Sequence, residues 1–173
     1  MGTLDDLKNR RSIRSYKDEQ IKDAELDAIL EAGTYAPSGM GQQSAVMVAV
    51  QDKAVIAKIE KLNAAVLDNA NARPFYGAPT VVNVFVDKTK STPVENGSLV
   101  IGNLLNAAYA LGVGSVYIYR AKEAFESPEG KELLKAWGLN DNYIGVGHVL
   151  LGYAAGDPPK AAPRKEGYII KVT

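Results

Sequence analysis

The chain has 173 residues, with 20 basic and 20 acidic side chains, no cysteine and one histidine. That length fits one domain with a real core, and the balanced charge argues against a general nucleic-acid binder. Without cysteine there is no disulfide, thiol nucleophile, iron–sulfur ligand or zinc thiolate, and one histidine builds no multi-histidine metal centre. Demanding chemistry therefore has to come from carboxylates, hydroxyls or a bound cofactor.

In chain order, Thr3 opens a helix signal, with Asp6 three residues on and Leu4 and Leu7 on one face. This start is amphipathic and acidic, unlike a signal peptide, and the apolar runs fall short of the roughly 20 residues of a membrane span. A soluble cytoplasmic protein is expected. The helix leads into the basic run Arg10-Arg11-Ser12-Ile13-Arg14. A second helix is predicted over 23–36, where Leu26, Ile29, Leu30 and Gly33 recur at helical spacing. Pro37-Ser38-Gly39-Met40-Gly41 stops it, and 45–50 reads as a short buried strand.

A third helix is predicted from 53 to about 71, with Val55, Ile56, Ile59, Leu62 and Val66 on one face. Gly77-Ala78-Pro79 breaks the chain before a β-branched strand at 80–86. Residues 99–111 are apolar nearly all round and predict a central buried helix, followed through Gly112 and Gly114 by a strand over 113–119. Ser127-Pro128 starts a short helix ending at Gly138, 143–153 is a glycine-punctuated strand, and 168–172 is a last strand beyond a Pro-rich arm. A strand after such an arm often docks on another subunit.

Three segments carry chemistry. Arg10, Arg11, Ser12 and Arg14 place three guanidinium groups and a hydroxyl within five residues, suited to an anion such as a phosphate. Taken alone, the run reads more readily as a solvated charged turn than as a ligand site, by roughly two to one. The loop from Ala36 to Gln43 lets backbone approach a flat ligand, with Ser38 and Gln43 as hydrogen-bonding groups, or it is a plain connector. Gly112-Val113-Gly114-Ser115 is a turn with backbone N–H groups for a ring system to lie against. Neither this stretch nor Gly145-Val146-Gly147 is a dinucleotide fingerprint, because the third glycine is replaced by Tyr117 or Leu150. His148, in an apolar strand, reads as a core or interface residue rather than a base. No G-x-S-x-G nucleophile elbow is present.

Taken together, these segments resemble the nitroreductase family of FMN-dependent oxidoreductases. Arg10 to Tyr16 is similar to the family's R-R-S-[IV]-R-x-[FY] opening, Glu31 to Ser38 to the helix before its A-P-S loop, and Asn103 to Ser115 to its N-L-x-x-A-A-x-x-L-G-[LV]-G-S segment. The likeness runs in order along nearly the whole chain. It implies an α+β fold, a mainly antiparallel sheet flanked by helices, over one domain spanning 1–173. It also implies an interwoven homodimer in which the arm 155–173 is exchanged and its strand joins the partner's sheet.

The resemblance implies FMN as cofactor and no metal. Arg10, Arg11, Ser12 and Arg14 would contact its phosphate and ribityl chain, helped by Lys160 or Arg164. Pro37, Ser38, Gly39 and Met40 would reach the flavin from the partner subunit, Asn71 would lie near the pyrimidine edge, and Val113, Gly114 and Ser115 against the isoalloxazine. Flavin N5 would carry the chemistry, so no catalytic side chain is implied. The activity implied is hydride transfer from NAD(P)H to a nitroaromatic, quinone or enone by a ping-pong cycle. A specialised flavin enzyme with one dedicated substrate and a non-enzymatic FMN-binding homodimer are the alternatives. The sequence departs from the family pattern in its loop, where Gly41 replaces an Asn and Ser44-Ala45 replace Pro-Trp, and at Pro74, where some members carry a lysine.

Overall fold

The β-branched run at 80–86 becomes a central strand in the computed structural model, which describes residues 2–67, 69 and 71–173. Strands β1 (Ala45–Val50), β2 (Thr80–Asp87), β3 (Gly114–Ile118) and β4 (Tyr143–Gly152) form one sheet in the order β1-β2-β4-β3, every neighbouring pair antiparallel. Among the described residues six α-helices accompany it: α1 (Thr3–Asn9), α2 (Asp23–Thr34), α3 (Lys53–Val66), α4 (Pro93–Ala110), α5 (Ala121–Glu126) and α6 (Pro128–Ala136). None of them is long and apolar enough to cross a membrane, among the described residues.

Strand side chains alternate between faces, and here both faces are covered. Val82, Val84 and Val86 pack with Leu26 and Ile29 of α2 and with Val100, Ile101 and Leu104 of α4. Val81 and Phe85 pack on the other side with Ile56 and Ile59 of α3, Phe125 of α5 and Leu133 and Leu134 of α6. This is the expected α+β arrangement, and burial on both faces explains why β2 is apolar at nearly every position. A bulge in β4 shifts the register: Val84 pairs with Gly147 but Phe85 with Gly145, leaving Val146 between them.

Several predicted boundaries move. Helix α4 begins six residues earlier than its apolar run, with Pro93 in the first turn, where the missing N–H costs nothing. It is also not buried all round, since Leu99 and Leu111 are 47% and 44% exposed. The predicted α1 cap by Thr3 is absent: Gly2 occupies the cap position without a side-chain bond. Helix α3 stops at Val66; of its predicted extension to 71, residues 68 and 70 lie outside the described set, and Asn69 Oδ1 instead accepts the Asn71 N–H at 3.1 Å. Helix α5 was not predicted. It is held by buried Asn63 of α3, whose Nδ2 donates to Tyr119 O at 2.7 Å and whose Oδ1 accepts from Arg120 Nε at 3.1 Å.

The predicted last strand at 168–172 forms no strand. Tyr168, Ile169, Ile170 and Val172 are 67–94% exposed, because no sheet edge of their own chain lies alongside them. The outer edge of β1 is likewise unpaired among the described residues.

Candidate functional site

The basic segment is extended and fastened on both sides. Ile13 N–H donates to Ser115 O at 3.0 Å, Lys17 N–H to Tyr153 O at 2.9 Å, and Ala155 N–H to Ser15 O at 3.0 Å. Tyr16 Oη donates to Ile13 O at 2.8 Å, and burial pushes this phenol far above its ordinary range. The segment thus runs between the start of β3 and the chain leaving β4, with a cleft on each side of Ile13.

One cleft, of about 180 Å³, is lined by Arg10, Arg11, Tyr109, Gly112, Val113, Gly114, Ser115 and Pro158, among others. The other, of about 350 Å³, is lined by Ser12, Arg14, Ser15 and the stretch around Asp157. Two polar atoms here lack hydrogen-bond partners although buried: Arg10 Nη1 and Ser115 Oγ. A buried unpaired guanidinium nitrogen is costly, and an anionic ligand would satisfy it. Arg11 is used differently. Its Nη1 donates to Lys8 O and Arg10 O, both at 2.8 Å, closing the end of α1.

The turn at Gly112 corrects one reading. Gly112 has φ +75°, and its N–H donates to Tyr109 O while the Val113 N–H donates to Ala108 O at 2.8 Å. This pattern caps α4 with a left-handed glycine, so those two N–H groups are spent on the helix and are not offered to a ligand. Gly114 is needed for close approach: a Cβ there would stand 2.9 Å from Gly152 O and 3.2 Å from Ile13.

The loop after α2 lies elsewhere. Pro37 and Ser38 line a separate cleft of about 140 Å³ with Gly33, Met47, Asn96 and Val100. Ser38 Oγ accepts the Gln43 N–H at 3.0 Å, and Met40 is 86% exposed with φ +55°. No residue is common to this cleft and the two beside Ile13. One chain therefore brings Arg10, Arg11 and Ile13 together with Val113 to Ser115 in one cleft, sets Ser12 and Arg14 in the neighbouring cleft across Ile13, and leaves Pro37 and Ser38 in a third. Lys160, Arg164 and Asn71 are exposed and line none of the three clefts. Pro74, at the position of the family lysine, is buried.

His148 is fully buried, with Nδ1 2.7 Å from Asn83 Oδ1. Because Asn83 Nδ2 donates to Val48 O at 3.2 Å, Oδ1 is the acceptor and the histidine proton sits on Nδ1. Its Nε2 has no partner, and burial, with the Arg120 charge second, lowers its pKa to about 3. It is a neutral core residue, as its apolar strand predicted. Asn96, buried and lining the cleft beside Ser38, is a residue the sequence reading did not single out; the start signal at Thr92-Pro93, which places it in the first turns of α4, was its only trace.

Residues 7–153 match the family model described as Nitroreductase family. The chain belongs to the nitroreductase family. Among solved nitroreductases, an FMN-bound one from Bacteroides fragilis has a TM-score of 0.92 at 30% identity, with all of both chains covered. Another with bound FMN, from Desulfitobacterium hafniense, has a TM-score of 0.89 at 29% identity over the same coverage. The oxygen-insensitive NADPH nitroreductase of Salmonella typhimurium is 27% identical over 97% of this chain and 72% of its own length.

Proposed function

We propose that this nitroreductase-family protein is an FMN-dependent oxidoreductase that draws on NAD(P)H and reduces a nitroaromatic, quinone or enone. The observation that carries the reading is the pair of buried, unpartnered atoms Arg10 Nη1 and Ser115 Oγ at one end of the basic segment. They fit a ligand with a phosphate at one end and a flat polar ring at the other, and the solved relatives with bound FMN support that choice. A phosphate monoester carries about −1.5 to −2 charge, which Arg10 and Arg14 would offset through forked hydrogen bonds. Ser12 would add a hydroxyl contact. Arg11 contributes field rather than a free fork, since its Nη1 is committed to α1.

Bound FMN would supply hydride acceptance from NAD(P)H and donation to the second substrate, which is the chemistry of a ping-pong cycle. The chain's own part is to bind, orient and exclude water, so the lack of cysteine and of a free histidine is no obstacle. Ser115 Oγ and the backbone beyond Val113 would face the ring, and Pro37, Ser38, Gly39 and Met40 would close over it from a second copy. A second copy as their source is supported by the two sets of residues lining separate clefts within one chain. The exposed arm 155–173 and the unpaired edge of β1 support a homodimer in which the arm's terminal segment joins the partner's sheet at β1. That edge is the better acceptor, because Ser12 and Ile13 already occupy the start of β3. Lys160 and Arg164 follow Pro158 and Pro159, which line the clefts beside Ile13, and would reach the site from the arm. The coenzyme is a cytoplasmic metabolite, which fits a cytoplasmic location.

The test is direct. Purified protein is expected to be yellow, to take up added FMN and to bleach on anaerobic addition of NADH or NADPH. Colourless protein that also fails to bind FMN would refute the reading, and bound flavin that neither NADH nor NADPH bleaches would leave a binding protein without turnover.

A further inference from the structure

Asn96 stands one turn into α4, is 3% exposed, and uses every hydrogen-bonding position of its carboxamide. Its Oδ1 accepts the Gly39 N–H at 2.9 Å and the Thr92 hydroxyl at 3.1 Å. Its Nδ2 donates to Ser44 Oγ at 3.0 Å and to Ser91 O at 2.9 Å. These contacts tie both ends of the loop 38–44 to the turn ahead of α4. Gln42 adds a fifth tie, its Oε1 accepting the Ser91 N–H at 3.1 Å. Gly39 is pressed against the side chains of that turn: a Cβ on it would meet the Thr92 hydroxyl and stand 2.8 Å from Ser91 Oγ.

The loop being held is one that would not keep its shape alone. It contains Gly39 and Gly41, and Met40 and Gln43 sit in the left-handed region at φ +55° and +47°. Thr92, on the opposite side of the clamp, has φ +47° as well. Side chains other than glycine stay in that region only where the surroundings enforce it. A carboxamide is the group that fits, because two donors and two acceptors surround it and it offers two of each. Aspartate has no hydrogens to give Ser91 O, and leucine satisfies none of the four.

We propose that Asn96 is a positioning residue that holds the Ser38–Gln43 loop in its binding shape, with Met40 outward, before any ligand arrives. A preorganised loop loses less freedom on binding, so the clamp would act on the affinity of the site the loop covers. What that loop touches rests on the flavin reading above; the clamp itself rests on contacts within this chain.

The test is amide hydrogen exchange on protein stripped of flavin. Asn96→Leu should speed exchange of the Gly39 amide and of residues 41–43 at least tenfold while amides of β2 and β4 keep their rates. Asn96→Asp, which retains the acceptor for Gly39 and Thr92, should fall between. Unchanged loop exchange in Asn96→Leu overturns the proposal. If that variant does not fold, Gln42→Ala at the exposed end of the clamp carries the same measurement, and should speed the Ser91 and loop amides. On FMN-loaded protein, Asn96→Asp should raise the acceptor KM at least fivefold with kcat changed less than twofold. A looser loop with unchanged KM overturns the positioning role. If the protein binds no flavin, the functional reading fails and the exchange experiment still decides the clamp.

Discussion

Acid should destabilise this protein in large part through His148. Its pKa drops from 6.5 to about 3 on folding, first because burial disfavours the imidazolium and second because Arg120 is positive. The folded value lies below the unfolded one, so the unfolded chain takes up the proton first as pH falls. Stability is complete above pH 6.5 and drains away down to about pH 3. Each pH unit in that window is worth about 1 kcal/mol or a little more, so acidifying to about pH 4.5 removes roughly 2–3 kcal/mol. For a chain of this size that corresponds to a Tm about 5–10 °C lower. Urea or thermal unfolding of the wild type and of His148→Asn, whose Nδ2–H stands where the Nδ1–H facing Asn83 does and which does not titrate, isolates the effect. Carboxylates such as Glu25 and Asp87, held below their usual values by hydrogen bonds from Tyr153 and Thr89, titrate alike in both proteins. The wild type should lose more stability than the variant between pH 7 and 4.5. Parallel losses would refute the reasoning.

Other outcomes follow from the same structure. Arg10→Ala and Arg14→Ala should each weaken FMN binding about 10- to 100-fold, the worth of one charge-assisted hydrogen bond, with little change in Tm; fluorescence titration reads the first and calorimetry the second. Gly130→Ala should destabilise the α5–α6 pair by about 1–3 kcal/mol or more, because the new Cβ would stand 2.3 Å from Ala124 O and 2.6 Å from Phe125 Cα, backbone atoms that cannot step aside. Urea unfolding measures it. Deleting residues 161–173, all exposed in the single chain, should leave far-ultraviolet circular dichroism unchanged while halving the mass seen by sedimentation and abolishing FMN retention.

The sheet was legible where local pattern and tertiary burial agree. The runs at 80–86 and 143–153 are apolar on both faces and became β2 and β4, and the glycine at 112 announced the end of α4. The beginning of that helix was hidden because Glu95, Asn96, Gly97 and Ser98 carry no apolar stripe, and α5 because its cap is Arg120 at φ +74°, which has no capping chemistry. The last strand illustrates a different limit. A β-branched, aromatic run states that a segment can pair, but nothing in it names the edge, and here no edge of the same chain is adjacent. At the site, the basic segment and the Gly-Val-Gly-Ser turn were found by composition and spacing. Asn96 was not, since its role depends on groups 52 and 57 residues away in the chain.

The facing pair Asn83 and His148 has a consequence for how the strands find one another. On β2 and β4 nearly every position is apolar, so a slip of one residue would exchange valines and leucines between two equally greasy layers at little cost. Burial cannot choose the alignment there. Asn83 and His148 are cross-strand partners, and a slip in either direction would strand two polar groups among hydrocarbon. Two side chains with no part in the chemistry thus carry the alignment of the strands on which β3 and the clefts beside Ile13 are built.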